Sequence, residues 1–474
     1  MGYIEGEDRN QITLFPECMD DYVSEDNAVR FIDKYVRSLD LVSLGFERAI
    51  PNRVGAPSYD PRTLIMLYVY GYLNGIRSSR KIERETHRNI ELIWLLNKLR
   101  PDFKTIADFR KDNRQALKNL FKDFLKFCQK CKLLGNKFIA IDGSHFKAVN
   151  AQSRHYTKNK IDKRLKEIDK YNNEYLDTLD KMDKIEDKTK NGPTTQELIK
   201  ALEDLQREKT KLSKLKEDIQ KTGKDQMCTT DPDSCVMRQG VGYNVQIAVD
   251  SENSLIVAYD VTDAPVDNNQ LSNMAKKAKD ELNVDELEAT ADTGYYNHSE
   301  IKECVDNQIT PYVPEPLKTG NPKADKLFSK SNFKYHKDHD CYVCPCNNVL
   351  LFYEKRKAKK GGYNYTYKCV DHVNCPFKNK CTTSKLGRYV NRWEHEDIIN
   401  NMKESILEDK DKVKKRKAIV EHPFGTIKRE MDQGYFLMRG KDKVNTEFAL
   451  TSLVYNIKRV INIFGIPKLM KALA

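Results

Sequence analysis

Three acids stand where a folded chain could bring them together: Asp142 at the close of the apolar run KFIAIDG, Asp292 in ATADTGYY, and Glu421 in the amphipathic stretch IVEHPFGTIK. Clustered carboxylates repel one another, so such a group makes sense chiefly with divalent cations between them. Two Mg²⁺ (or Mn²⁺) ions about 4 Å apart activate a water or a 3′-hydroxyl and stabilise the leaving oxygen of a phosphodiester. In that chemistry Asp142 bridges the ions, and Asp292 and Glu421 each hold one. The bland alternative for Asp142 is that Asp-Gly is a common turn pair, and Asp292-Thr-Gly alone is little more specific; Glu421 gains from its setting, because a glutamate on the apolar side of IVEHPFGTIK would otherwise be a costly choice.

The elements around these acids read as an α/β unit. KFIAIDGSHFKAV is a short buried strand ending at Asp142-Gly143, and GYNVQIAVDSENSLIVAYDVT is a hairpin about a polar turn at Asp250 to Ser254. A helix follows over 268–282, then a strand ending at Asp292, a helix capped at Asn297 or Ser299, and a strand in QITPYVPEP that proline closes. Helices resume from about 394. This is the element order of an RNase H-like fold, in which the first and fourth strands lie side by side and a later helix carries a third acid across.

Two segments interrupt that order. Residues 155–223 are nearly all Lys, Glu, Asp, Leu and Ile, with apolar positions three, four and seven apart and a break at Asn191-Gly192-Pro193. They predict an antiparallel helical hairpin whose seam closes on itself or on a second copy. In the other, six of the twelve cysteines fall within residues 341–381, as two thiol clusters flanking a predicted β-hairpin. Thiolates at short spacing suit a closed structural Zn²⁺ site in a zinc-ribbon-like lobe.

Residues 1 to about 135 read as helices, with Ser24 as one N-cap and Asp60-Pro61 opening another helix. A glycine-containing turn then leads to a basic helix with Arg77, Arg80, Lys81, Arg84 and Arg88, suggesting a helix-turn-helix-like DNA reader. The formal charge of +12 favours a polyanionic partner, and Lys410 to Lys417 supply six basic residues in eight positions. No run of 18 apolar residues is present and MGYIEGEDRN is too polar for a signal peptide, so the expected location is the cytoplasm, with no membrane contact.

Taken together, SYDPRTLIMLYVYGYLNGIRSSRKIE, FIAIDGSHFKA, DPDSCVMRQGVGYNVQIAVD, ATADTGYY, VEHPFGTIKRE and RGKDKVNTEFALTSLVYNIKRV resemble the DDE transposases of bacterial insertion sequences, in the IS4/IS5-like group and most closely the IS1182 family. The resemblance implies that Asp142, Asp292 and Glu421 are a metal-binding catalytic triad. It also implies that Lys428, seven residues past Glu421, meets DNA near the scissile bond. In the related Tyr-Arg-Glu-Lys signature Lys417 stands for the arginine, while Lys414 departs from the tyrosine. Arg416 in the same run and Arg439 are further DNA contacts. For zinc, the resemblance favours Cys344, His372, Cys375 and Cys381, with Cys341, Cys346 and Cys369 as alternatives.

The expected organisation is a helical DNA-binding region at 1–135, core segments at 136–152, 226–320 and 394–474, a helical-hairpin insertion at 153–225 and a zinc-binding insertion at 321–393. The expected activity is binding of terminal inverted repeats in double-stranded DNA, followed by cleavage and strand transfer by a homodimeric synaptic complex. The alternatives are a catalytically retired transposase acting as a DNA-binding regulator, a structure-specific nuclease, and a purely structural coiled-coil protein.

Overall fold

The computed structural model describes residues 18–51, 57–149, 154–183, 195–223, 225–237, 240–316, 327–358, 362–371 and 375–473. Helix α1 (Ala28–Ser38) is capped by Asn27, whose side chain accepts from the Val29 amide at 3.0 Å, and not by Ser24 as the sequence suggested. Ser24 lies in the preceding turn, where its carbonyl accepts from Arg30. Helix α2 (Pro61–Leu73) begins as expected, with Asp60 accepting from the Arg62 amide and proline in the first turn. It is buried all round from Leu64 to Tyr72, because α1 covers one side and the C-terminal helix another. A turn with Gly75 at φ +70° leads to α3 (Ser79–Arg88), and α4 (Arg114–Lys130) completes this part.

The central sheet holds β1 (Phe138–Lys147), β2 (Gly240–Asp250), β3 (Ile256–Thr262), β4 (Leu287–Thr290) and β5 (Ile309–Tyr312), in the order β3-β2-β1-β4-β5. A short strand, Cys235–Met237, also pairs with β2. β1 to β3 form an antiparallel meander, whereas β4 joins β1, and β5 joins β4, in parallel. The expected adjacency of the first and fourth strands is therefore present.

The reading of Asp142-Gly143 as a strand end is corrected. β1 continues five residues past Asp142, in unbroken register from Asp142 opposite Ile247 to Lys147 opposite Gly242. The glycine marks a close approach rather than a turn.

Helices α5 (Lys158–Asp183) and α6 (Thr195–Thr222) form the inserted hairpin, rooted on a two-stranded ladder of His155–Thr157 with Gln226–Cys228. Near its base the seam closes on itself through Ile161, Ile168, Leu212 and Ile219, with Arg164–Glu208, Lys209–Asp169 and Lys216–Asp162 ion pairs across it. The predicted break at 191–193 lies outside the described residues. After α7 (Leu271–Leu282), α8 (His298–Asp306) and β5 comes the cysteine-rich lobe. It is a five-stranded antiparallel meander, β6 (Lys334–His336), β7 (Cys341–Val343), β8 (Val349–Lys357), β9 (Tyr363–Cys369) and β10 (Tyr389–Trp393), with its own small core of Phe333, Tyr342, Leu350, Tyr367 and Val390.

Toward the C-terminus come α9 (Lys410–Gly425) and α10 (Lys441–Phe464), followed by a short helix over Ile466–Ala472. Helix α10 packs on α2, α4 and β3, joining the N-terminal helices to the sheet in one core. Among the described residues, no helix is long and apolar enough to cross a membrane.

Candidate active site

Asp142 points from the middle of β1, three-quarters buried, with Arg416 of α9 at 3.5 Å. Asp292 lies two residues beyond β4 and caps a single 3₁₀ turn, accepting from the Gly294 amide at 2.8 Å. Burial pushes the Asp142 carboxyl up to about 6 against the pull of Arg416, and the negative fields of Asp292 and Asp267 push it the same way. The two predicted aspartates thus share one electrostatic neighbourhood.

Asp267 was not picked out by the sequence reading, and it belongs to this neighbourhood. Its carboxylate accepts from Asn244 at 2.8 Å and Gln246 at 2.6 Å, both buried on β2. The Gln246 carbonyl in turn accepts from the buried Tyr295 hydroxyl, in the turn that Asp292 caps. A hydrogen-bonded chain therefore runs over β1 from the segment before α7 to the turn carrying Asp292. Gly143 makes room for it: a Cβ there would lie 2.3 Å from the Gln246 amide nitrogen and 2.6 Å from Asp267 Oδ1. The only sequence signal was the polar pair Asn244 and Gln246, at alternate positions in an otherwise apolar strand.

Glu421 is on α9 as expected, but its carboxylate faces outward. It is 65% exposed and pairs with Lys417 one turn back at 3.6 Å, while Arg416 takes the position over Asp142. The helix buries Ile419, Val420, Pro423 and Phe424, so Glu421 lies beside the apolar face and not on it. Among the described residues, no three His, Cys, Asp or Glu side chains are drawn close enough together to hold an ion.

The basic run of α9 divides between two tasks. Lys412 reaches Glu288 of β4 at 2.7 Å and the Tyr312 hydroxyl at 3.1 Å, and Arg416 reaches Asp142. Lys410, Lys414, Lys415 and Lys417 face solvent. Beyond Pro423, which lacks the amide a helix needs, α9 passes into a π-helical turn over Thr426–Glu430. That turn sends Lys428 inward, to Ser144 Oγ at 2.6 Å and the His145 carbonyl at 3.1 Å, half-buried over the Phe146 ring. Burial lowers its pKa. The ammonium of Lys428, expected to meet DNA near the scissile bond, is thus engaged on β1 within the field of Asp142.

Among the N-terminal basic residues, Arg80, Lys81 and Arg84 are exposed on α3, and Arg439 is exposed in the loop before α10. Arg77, expected with them as a DNA contact, is not displayed on this surface. It is 4% exposed, pairs with the fully buried Glu447 at 3.2 Å and donates to the Tyr435 and Asp432 carbonyls. It sits in the loop that ends α2, and that loop packs against the segment preceding α10.

In the cysteine-rich lobe one cavity is lined by Cys344, Cys346, Cys369, Cys375 and Cys381. The amides of Cys346 and Asn348 both donate to Cys344 Sγ at 3.3 Å, and the Cys346 thiol meets Cys375. Cys341, one of the alternatives, is buried in β7 but does not line the cavity. His372 lies outside the described residues.

The position of Asp142 sets a pH dependence in the metal-free protein. A carboxyl raised from about 3.9 unfolded to about 6 folded favours folding at low pH, and that contribution is lost as pH rises through 6. At neutral pH the charged side chain then costs up to roughly 3 kcal/mol. In chelator at pH 7.5, Asp142→Asn is expected to melt higher than the wild type, with the gap closing below pH 4. Added Mg²⁺ should stabilise only the wild type. A variant that melts lower at pH 7.5 in chelator contradicts this.

Comparison with known proteins is consistent with the geometry. Residues 17–112 match the family model described as Transposase domain (DUF772), and residues 343–461 match the Transposase DDE domain. No curated protein matches the chain. Among solved structures the chain is similar to the piggyBac transposase in a synaptic complex with hairpin DNA, at 10% identity and a TM-score of 0.29, over 94% of this chain and 76% of that one. At that score the likeness carries no weight by itself. Transposase domains at both ends of the chain agree with the resemblance its motifs carry: this is a DDE transposase, in keeping with the IS1182 type, a metal-dependent enzyme of DNA transposition.

Proposed function

We propose that the chain binds the terminal inverted repeats of its own insertion sequence, cuts the DNA at the element's ends and joins the freed 3′-hydroxyls to target DNA. The observation that carries this reading is the pair Asp142, on β1, and Asp292, in the turn just past the adjacent parallel strand β4, in a sheet ordered β3-β2-β1-β4-β5 that we read as an RNase H-like core. Asp142, Asp292 and Glu421 are the proposed triad. The donors fit Mg²⁺ or Mn²⁺: they are hard oxygens, and a buried carboxylate under the field of two others is relieved by a cation. When bound, two such ions supply an activated nucleophile and charge stabilisation at the phosphorus. The Asp267, Gln246 and Tyr295 chain holds the Asp292 turn in place over β1, while Arg416 holds the Asp142 carboxylate. For Glu421 to join them, α9 or its side chain must turn away from Lys417.

The helical region at 1–135 is the proposed DNA-binding region, through Arg80, Lys81 and Arg84. Lys414, Lys417 and Arg439 are added phosphate contacts. Structural Zn²⁺ in the lobe over 321–393 is proposed at Cys344, Cys375 and Cys381 with His372, or with Cys346 or Cys369 of the same cavity in its place; the thiols that line the cavity must draw closer together to hold it. Burial pushes Cys346 and Cys369 up to about 11, so zinc binding would release their protons. Two ends held together require at least a homodimer in the synaptic complex. The hairpin over 153–225 is the proposed clamp, and a deletion of residues 155–223 that leaves end-pairing and cleavage intact removes it from that role. The proposed site of action is the bacterial cytoplasm.

The test is a labelled duplex carrying the element's end, incubated with Mg²⁺ and target DNA. Cleavage at the boundary followed by joined product supports transposition, whereas cleavage without joining supports a nuclease. The outward-facing Glu421 is the one observation favouring a retired, DNA-binding transposase, and binding without cleavage is the outcome that reading predicts.

A further inference from the structure

A groove of about 970 Å³ opens between the segment following Asp292 and the sheet of the cysteine-rich lobe. Tyr296 and His298 form one wall. The other carries Tyr353 of β8 and Tyr389 of β10, with Arg356 and Lys357 beside them. Tyr353 is 54% exposed and meets Tyr389 edge to face at 5.7 Å. The Lys368 ammonium lies 5.4 Å from the first ring and 5.7 Å from the second, bracing the pair. The lobe is fixed to the core where Trp393 packs on His298 at 5.3 Å, so the tyrosine pair keeps its place relative to the Asp292 turn.

We propose that this groove binds unpaired nucleotides of a DNA strand passing Asp142 and Asp292. The volume is on the scale of a small-ligand pocket, about 300–1,000 Å³, which admits a few splayed nucleotides and no duplex. Aromatic faces stack any base, so the site needs no fixed sequence. Lys357 complements phosphates, Arg356 does so by exchanging the Glu354 carboxylate it pairs with at 2.8 Å in the same groove, and the side chains of Asn364 and Asn391 offer amides to base edges. The transposase reading enters only as the source of the strand, because cutting one strand at a duplex end leaves nucleotides free to leave the stack.

The test uses the full chain in chelator, so that binding is read without cleavage. The probes are a blunt duplex and the same duplex with a short single-stranded extension containing 2-aminopurine. The wild type is expected to bind the extended duplex roughly tenfold more tightly and to quench the probe by stacking. Tyr353→Ala combined with Tyr389→Ala should abolish both effects and leave blunt-duplex affinity and melting temperature unchanged. Tyr353→Phe, which keeps the ring, should retain them, and Lys357→Glu should weaken only the extended duplex. Equal affinity for the two probes, a preference that survives loss of both rings, or equal loss for both probes overturns the proposal. None of these outcomes depends on whether the protein cuts DNA, so failure here and failure of the proposed triad are told apart.

Discussion

Replacing Asp142 with Asn is expected to lower end cleavage by at least about 10³-fold while leaving DNA binding within a few-fold of the wild type. Removing a single group that stabilises transition-state charge costs about 10²–10³, and a carboxylate bridging two cations carries more than that. The amide is nearly isosteric, so β1 keeps its register and Arg416 loses only a charged partner at 3.5 Å. The exposed lysines of α9 are untouched, which is why binding should persist. Single-turnover cleavage of a labelled end, beside a binding assay on the same duplex, reads both quantities. Cleavage within tenfold of the wild type removes Asp142 from the centre of the chemistry.

Glu447→Ala is expected to destabilise the protein by about 3–5 kcal/mol, the usual cost of removing one partner of a buried ion pair. Glu447 is fully buried and accepts from Arg77, from the Leu437 amide at 3.1 and 3.0 Å, and from the Met438 amide at 3.0 Å. Alanine strands a guanidinium and two backbone donors in the core where α2, α10 and the loop before α10 meet. Arg77→Lys recovers little, because one ammonium cannot hold the carboxylate together with the Tyr435 and Asp432 carbonyls. Urea unfolding reads the loss, and a shift below 1 kcal/mol contradicts it. The same residues show why Arg77 belongs to the fold: its cation is consumed inside the protein.

Apolar periodicity and turn chemistry made most of the scaffold legible. The β2–β3 hairpin, the Asp60-Pro61 helix start and the paired helices of the insertion follow from patterns a few residues long. Asp142 and Asp292 were legible because strands placed them. What failed depended on partners distant in sequence. Gly143 resembled a turn because nothing local shows that Gln246 and Asp267 lie over it. Helical phase placed Glu421 near the apolar side of α9, but only the packing of α9 on β1 decides that Arg416 faces Asp142. Lys428 was read as two helical turns beyond Glu421, and the π-helical turn after Pro423 redirects it. His372 was preferred to Cys369 on the resemblance, whereas the fold lines the cavity with Cys346 and Cys369 as well.

The central claim is that Asp142, Asp292 and Glu421 act together on divalent cations, and cysteine substitution at the last two tests it most directly. A thiolate is a poor ligand for Mg²⁺ and a better one for the softer Mn²⁺. Asp292→Cys and Glu421→Cys, assayed on the labelled end, are predicted to be inactive in Mg²⁺ and partly active in Mn²⁺, while the corresponding alanine variants stay inactive in both. Full activity of Glu421→Cys in Mg²⁺, or equal inactivity of cysteine and alanine variants in both metals, contradicts the account.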